Sequence, residues 1–148
     1  MIPLAPDPRH VRRAGSHLVA AVYALHGHRV SWPLEPACYD LLADAGDGTS
    51  ILRIQVKTCT SRQGDAWMCW TGRSTYAPVP GGKRRVLYPP DALDVLAVVD
   101  GDLTVYLIPF PLVAAQATVT PRAYAQYRVA GLDLHKDVAV VGAPGPRG

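Results

Sequence analysis

The hydrophobic pattern changes period several times along the 148 residues of this chain. Residues 1–8, with Pro3, Pro6 and Pro8, predict an irregular lead. From 10 to 26 the apolar positions take helical spacing. Leu18, Ala21, Val22 and Leu25 form an i, i+3, i+4, i+7 stripe suited to a core-facing helix. Gly27 stops that helix, and His26 and His28 flank its C-terminal end, where a positive group suits the helix dipole. Short strands are predicted over 29–32, ended by Pro33, and over 39–43, followed by a Gly- and Asp-rich turn at 44–50. The clearest strand is 51–60. Leu52, Ile54, Val56 and Thr58 fall on one face, and Arg53, Gln55 and Lys57 on the other. Residues 66–70 predict a further strand, entered through a Gly64–Asp65 hairpin turn.

The stretch 71–90 carries Gly72, Pro78, Pro80, Gly81, Gly82, Pro89 and Pro90 and reads as a long basic loop. Strands at 94–99 and 104–108 follow, joined at Asp100–Gly101. Short helices are predicted at 112–117 and from Pro121, with Thr120 as cap. A last strand is placed at 138–141 and a flexible tail at 142–148. The order predicts a single α+β domain over 9–141, a mixed β-sheet flanked by helices.

Composition narrows the class. Hydrophobic residues make up 49% and charged residues 18%, which is globular rather than disordered. Apolar runs are too short and too interrupted for a membrane span. The start lacks the basic and apolar regions of a signal peptide. Cys38, Cys59 and Cys69 form neither a disulfide framework nor a CxxC zinc pattern, so a reducing, cytoplasmic compartment is the simplest reading. The net charge is only +3, but its placement is uneven. Between 53 and 85 stand Arg53, Lys57, Arg62, Arg73, Lys83, Arg84 and Arg85 against a single acid, Asp65, and Arg9, Arg12 and Arg13 add to this upstream. A basic middle can seat a polyanion, nucleic acid above all; a solvated basic surface is the plainer alternative.

Candidate chemistry lies in Tyr39-Asp40-Leu41-Leu42 and Gln55-Val56-Lys57-Thr58. Gln55 and Lys57 are two apart and share a strand face, with a carboxylate at the edge of the neighbouring strand. Carboxylate, amide and backbone oxygens beside an ammonium group suit Mg²⁺-assisted phosphodiester hydrolysis. An Asp at a turn and a Lys on an exposed strand are also ordinary surface features.

Residues 15–58 resemble the core of the PD-(D/E)XK nuclease superfamily, in particular the group I intron-associated homing endonucleases with a QxK third motif. The likeness rests on the helix followed by Gly27, Val30, Pro33, Tyr39-Asp40-Leu41 and Ile54-Gln55-Val56-Lys57-Thr58, with a looser match at Tyr106-Leu107-Ile108-Pro109. The resemblance implies a restriction-endonuclease-like core. It implies Asp40, Gln55 and the Val56 carbonyl as holders of Mg²⁺ (or Mn²⁺), Lys57 as the catalytic lysine, DNA as substrate, and a homo-oligomer. The family's helix Glu falls here at Ser16, beside His17, so one negative group is missing. Glu35, the only Glu in the chain, and His17 are the candidate substitutes.

Arg53, Arg62, Arg73, Lys83, Arg84 and Arg85 are the candidate DNA-backbone contacts. Gly81-Gly82-Lys83-Arg84-Arg85 is no Walker A loop, because Ala77 and Arg84 stand at positions that need Gly and Ser or Thr. Trp67, Trp70 and Tyr76 suit either base stacking or the core. The expected activity is that of a metal-dependent DNA endonuclease. A catalytically inactive protein of the same fold, binding DNA or a protein partner, is the alternative. A Holliday-junction resolvase is a third reading.

Overall fold

The computed structural model describes residues 7–76 and 80–130. Most of the lead 1–8, the strand predicted at 138–141 and the tail 142–148 lie outside the described residues. Helix α1 spans Pro8–Leu25. Asp7 caps it by accepting the Arg9 N–H at 2.8 Å, and Pro8 suits the first turn, where its missing N–H is not needed. Strands β1 (Arg29–Ser31), β2 (Leu41–Asp44), β3 (Ile51–Thr58), β8 (Val95–Val99) and β9 (Val105–Pro109) form a five-stranded sheet in the order β1-β2-β3-β8-β9. The β3–β8 pairing is parallel and the other three are antiparallel, so the sheet is mixed and the domain is α+β. Between β3 and β8 the chain makes two smaller units. Strands β4 (Ser61–Gln63) and β5 (Ala66–Trp70) pair with each other, and β10 (Thr118–Val119) joins the edge of β5. Strands β6 (Arg73–Tyr76) and β7 (Lys83–Val86) form a separate hairpin.

The five-stranded sheet is covered on both faces. On one, Val11, Val19, Val22 and Tyr23 of α1 pack against Leu41, Ala43, Ile54, Val56, Ala97 and Val99. On the other, Leu96, Val98, Tyr106 and Ile108 pack with Cys59, Cys69, Phe110 and Val119. Strand β8 is therefore buried on both sides from Leu96 to Val99, as its unbroken apolar run requires. Among the described residues no helix is long and apolar enough to cross a membrane.

Several expectations need correction. The buried residues of α1 are Val11, Gly15, Val19, Ala20, Val22 and Tyr23; of the predicted stripe Val22 is buried as expected, but Leu25 is 76% exposed and Ala21 is also exposed. Gly15 lies on the buried face, close against β3. A Cβ there would lie 2.5 Å from the Thr58 methyl. The predicted loop 71–90 contains the β6–β7 hairpin, whose residues alternate too little in hydrophobicity to announce strands. The predicted helix at 112–117 is instead a single 3₁₀ turn at Phe110–Leu112 that leads into β10. The segment from Pro121 is helical as expected, but it is a kinked 3₁₀ stretch, Pro121–Tyr127, and Thr120 gives it no side-chain cap.

The Gly15 contact generates a prediction. Gly15→Ala should lower the unfolding free energy by about 1–3 kcal/mol through overpacking. Adding Thr58→Ser, which removes the opposing methyl, should recover part of that loss in a double-mutant cycle read by urea unfolding. Strict additivity would show that the two sites do not touch.

Candidate active site

Strand β3 supplies the site because its side chains alternate. Ile54 and Val56 point into the helix-side core, which sends Gln55 and Lys57 to the opposite face. That face is not open surface. It forms the floor of a cavity of about 740 Å³, walled by α1, the start of β4, the end of β5 and the β6–β7 hairpin. Gln55 is buried and Lys57 half-buried.

Asp40 sits one residue before β2, and its backbone N–H donates to the Ile54 carbonyl at 2.8 Å. One carboxylate oxygen of Asp40 accepts from the Val56 N–H at 2.8 Å and from the Gln55 amide at 2.6 Å. The Gln55 amide also reaches the Val56 carbonyl at 3.3 Å. Asp40, Gln55 and Val56 are thus one connected group of oxygen-bearing atoms at the cavity floor. Burial pushes the Asp40 carboxyl above the usual aspartate range, while the Val56 N–H and the charge of Lys57 pull it back toward ionisation.

Lys57 donates through Nζ to the Gly72 carbonyl at 2.6 Å, and its ammonium lies 5.4 Å from the centre of the Tyr88 ring. Burial lowers its affinity for the proton, opposed by Asp40 and by Cys69. Burial also pushes the Tyr88 hydroxyl up to about 12, so this ring faces the cavity uncharged. Cys69 lines the same cavity. A hydrogen bond from the Cys59 thiol favours its thiolate, with help from Lys57, and the same bond raises the Cys59 thiol.

The remaining candidates divide. Arg73 and Arg85, one on each strand of the hairpin, line the cavity, and the Arg85 guanidinium lies 5.1 Å over the Trp70 ring. Arg84 is exposed on β7, next to Lys83. Arg53 lies at the other end of β3, away from the cavity lining, where its guanidinium and backbone N–H both bind the Asp94 carboxylate. This pair holds Asp94 below the usual carboxylate range. Arg62 stands 4.1 Å over the Trp67 ring and 3.6 Å from Asp102, also outside the lining. Trp67 packs against Gly101 and donates to Asp102 at 2.7 Å, a structural role. Trp70 lines the cavity and keeps a buried indole N–H with no partner among the described residues.

Neither Glu35 nor His17 lines the cavity. Glu35 is exposed in the loop before Asp40 and lines no part of the cavity; His17 is exposed and lies against Trp32 at 6.2 Å between ring centres. Ser16 does line the cavity, and so does Arg12, one helical turn before it. In the sequence Arg12 stands out only as part of the upstream basic charge. Its i, i+4 relation to Ser16 was the signal that could have placed it.

The burial of Asp40 has a consequence for stability. A carboxyl with a raised folded-state pKa contributes most below its unfolded value, and that contribution is lost as pH rises through the folded one. Asp40→Asn should therefore be at least as stable as the wild type at pH 7. Its advantage should shrink as pH falls toward the ordinary aspartate value of 3.8. Denaturant unfolding across that range checks it; a variant less stable at pH 7 than at pH 4, relative to wild type, would contradict the sign.

No protein-family model matches this chain, and no curated protein does. Among solved structures the chain is similar to that of a bacterial homing endonuclease, I-Ssp6803I, with a TM-score of 0.67 and 16% identity over 94% of this chain and 100% of that one. At that identity the likeness is one of fold: the two chains share an α+β architecture along almost their whole lengths.

Proposed function

We propose that this chain is a metal-dependent DNA endonuclease that hydrolyses phosphodiester bonds. The observation that carries the reading is the convergence of Asp40, Gln55, Val56 and Lys57 at the floor of a cavity whose other charged groups, among the described residues, are arginines. The fold shared with a homing endonuclease supports it.

The donor set fits a hard divalent cation. The Asp40 carboxylate, the Gln55 amide oxygen after a turn of the amide, and the Val56 carbonyl are all oxygen donors, the set that Mg²⁺ or Mn²⁺ takes. Among the described residues no three of His, Cys, Asp or Glu come together, which argues against a thiolate- or imidazole-rich zinc site. With a single carboxylate, the residues present suit a cation that is completed by water and by the phosphate of the substrate. Bound there, such an ion supplies Lewis-acid polarisation of a phosphoryl oxygen and a water of lowered pKa. Asp40 contributes the negative charge and orients Gln55. Lys57 projects its ammonium into the cavity, where it positions the attacking water and stabilises charge on the phosphoryl oxygens. Arg73 and Arg85 hold the nucleic-acid backbone beside them, with Lys83 and Arg84 extending the same hairpin.

A second reading has one specific observation in its favour. Ser16, where the resemblance would put the family's Glu, lines the cavity, and a pocket without that carboxylate suits a protein that binds DNA without cutting it.

Lys57→Ala should abolish Mg²⁺-dependent cleavage of duplex DNA and leave DNA affinity within a few fold. Cleavage that survives the substitution would remove the site assignment. Neutralising Lys83, Arg84 and Arg85 together should flatten the dependence of log K on log salt by up to about three contacts, each worth a slope of ~0.9. An unchanged slope takes the hairpin off the DNA.

A further inference from the structure

The cavity has an unusual charge balance for a site that would hold a cation. Arg12, Lys57, Arg73 and Arg85 line it, and among the described residues Asp40 is the only acid that does. Away from the cavity, four arginines pair with carboxylates: Arg9 with Asp7, Arg53 with Asp94, Arg62 with Asp102 and Arg122 with Asp65. Arg12, Arg73 and Arg85 have no carboxylate partner among the described residues. The Arg12 guanidinium is steered instead by a neutral group, donating to the Thr60 hydroxyl at 3.1 Å. Like charges around one concavity repel, and an anion placed among them relieves the repulsion.

The helix decides where these charges stand. Gly15 and Val19 bury one face of α1 against the sheet, and Arg12 and Ser16, four residues apart, fall together on the face beside the cavity. Neither Glu35 nor His17 brings a second ligand there.

We propose that Arg12 holds the reacting phosphate directly. The helix contributes a positive group to the phosphate in place of a negative group to a metal. Arg12 from α1 and Arg73 and Arg85 from the hairpin clamp the phosphate oxygens, and the planar, always-charged guanidinium is the side chain suited to two-point contact with them. The ligand class is a phosphate oxyanion on a nucleotide, either an internal diester or a terminal monoester. This deepens the endonuclease reading and rests on it for the identity of the phosphate. The anion clamp itself does not depend on catalysis.

The test separates the two. Thymidine 3′,5′-bisphosphate is titrated calorimetrically in EDTA into the wild type and into Arg12→Gln, Arg12→Lys and Arg13→Gln. Arg13 is exposed, lies on the same helix and does not line the cavity. Binding should weaken by about tenfold or more in Arg12→Gln, recover in part in Arg12→Lys and stay unchanged in Arg13→Gln, with equal thermal unfolding midpoints throughout. No binding by the wild type, or equal binding by Arg12→Gln, overturns the proposal. Cleavage of duplex DNA in Mg²⁺ is measured in parallel. Cutting by the wild type with Arg12-independent binding drops the clamp and keeps the nuclease. Arg12-dependent binding with no cutting keeps the clamp and drops the nuclease. Arg12-dependent preference for a duplex with a 5′-phosphate over one without assigns the clamp to a terminal monoester. Arg12-dependent binding of both alike assigns it to the internal diester.

Discussion

Strand β3 lies between β2 and β8 with a core on one face and a cavity on the other, and the site depends on that placement. Its hydrogen bonds lock it from both sides, antiparallel to β2 and parallel to β8. Ile54 and Val56 are held against α1 by apolar burial. Because side chains alternate along a strand, Gln55 and Lys57 have no choice but the opposite face. A one-residue slip would put both polar groups into the helix-side core, at a cost in unpaired polar burial that the register does not tolerate. The positions of the catalytic candidates are thus a by-product of how the hydrophobic residues pack.

The same packing sets the electrostatics. Asp40 and Lys57 are drawn into a partly enclosed space, where each loses hydration. The carboxyl is pushed up, the ammonium down, and each group opposes the other's shift. Hydrogen bonds offset part of this cost: the Val56 N–H and Gln55 amide for Asp40, the Gly72 carbonyl for Lys57. Groups kept in so unfavourable a setting are candidates for function, since an isolated stability argument would replace them. The arginines around them have no carboxylate partner among the described residues, and Asp40 alone offsets four cations, which makes the cavity receptive to an anionic ligand.

The parts of the fold with strong local signals were legible. The alternation of β3, the turn at Asp100–Gly101 and the hairpin at Gly64–Asp65 needed only their own residues. The face of α1 read only in part: Val22 is buried and Leu18 packs on the core, but Leu25 and Ala21, as apolar as the residues that bury, are exposed. The face that does bury includes Gly15, which has no side chain and sits close against Thr58. The β6–β7 hairpin was hidden by its basic, Pro- and Gly-flanked sequence, which describes a loop as well as it describes strands. Arg53 looked like a neighbour of Lys57 on one strand face. In the fold it belongs to Asp94 at the far end of the strand, because the parallel pairing with β8 brings that acid there.

The sequence by itself determined that this is an α+β domain and that Gln55 and Lys57 share one face of β3, because alternation and short hairpins are local properties of the chain; that Asp40 bonds Gln55 and Val56 is a contact of the fold. The tertiary structure decided which cations join them. Arg12, Arg73 and Arg85 come to the cavity from a helix and a hairpin that are distant from β3 along the chain, while Arg53 and Arg62, closer in sequence, are turned to other partners. Charge is summed over space and not over sequence, so the balance of a site becomes visible only once packing has chosen its walls.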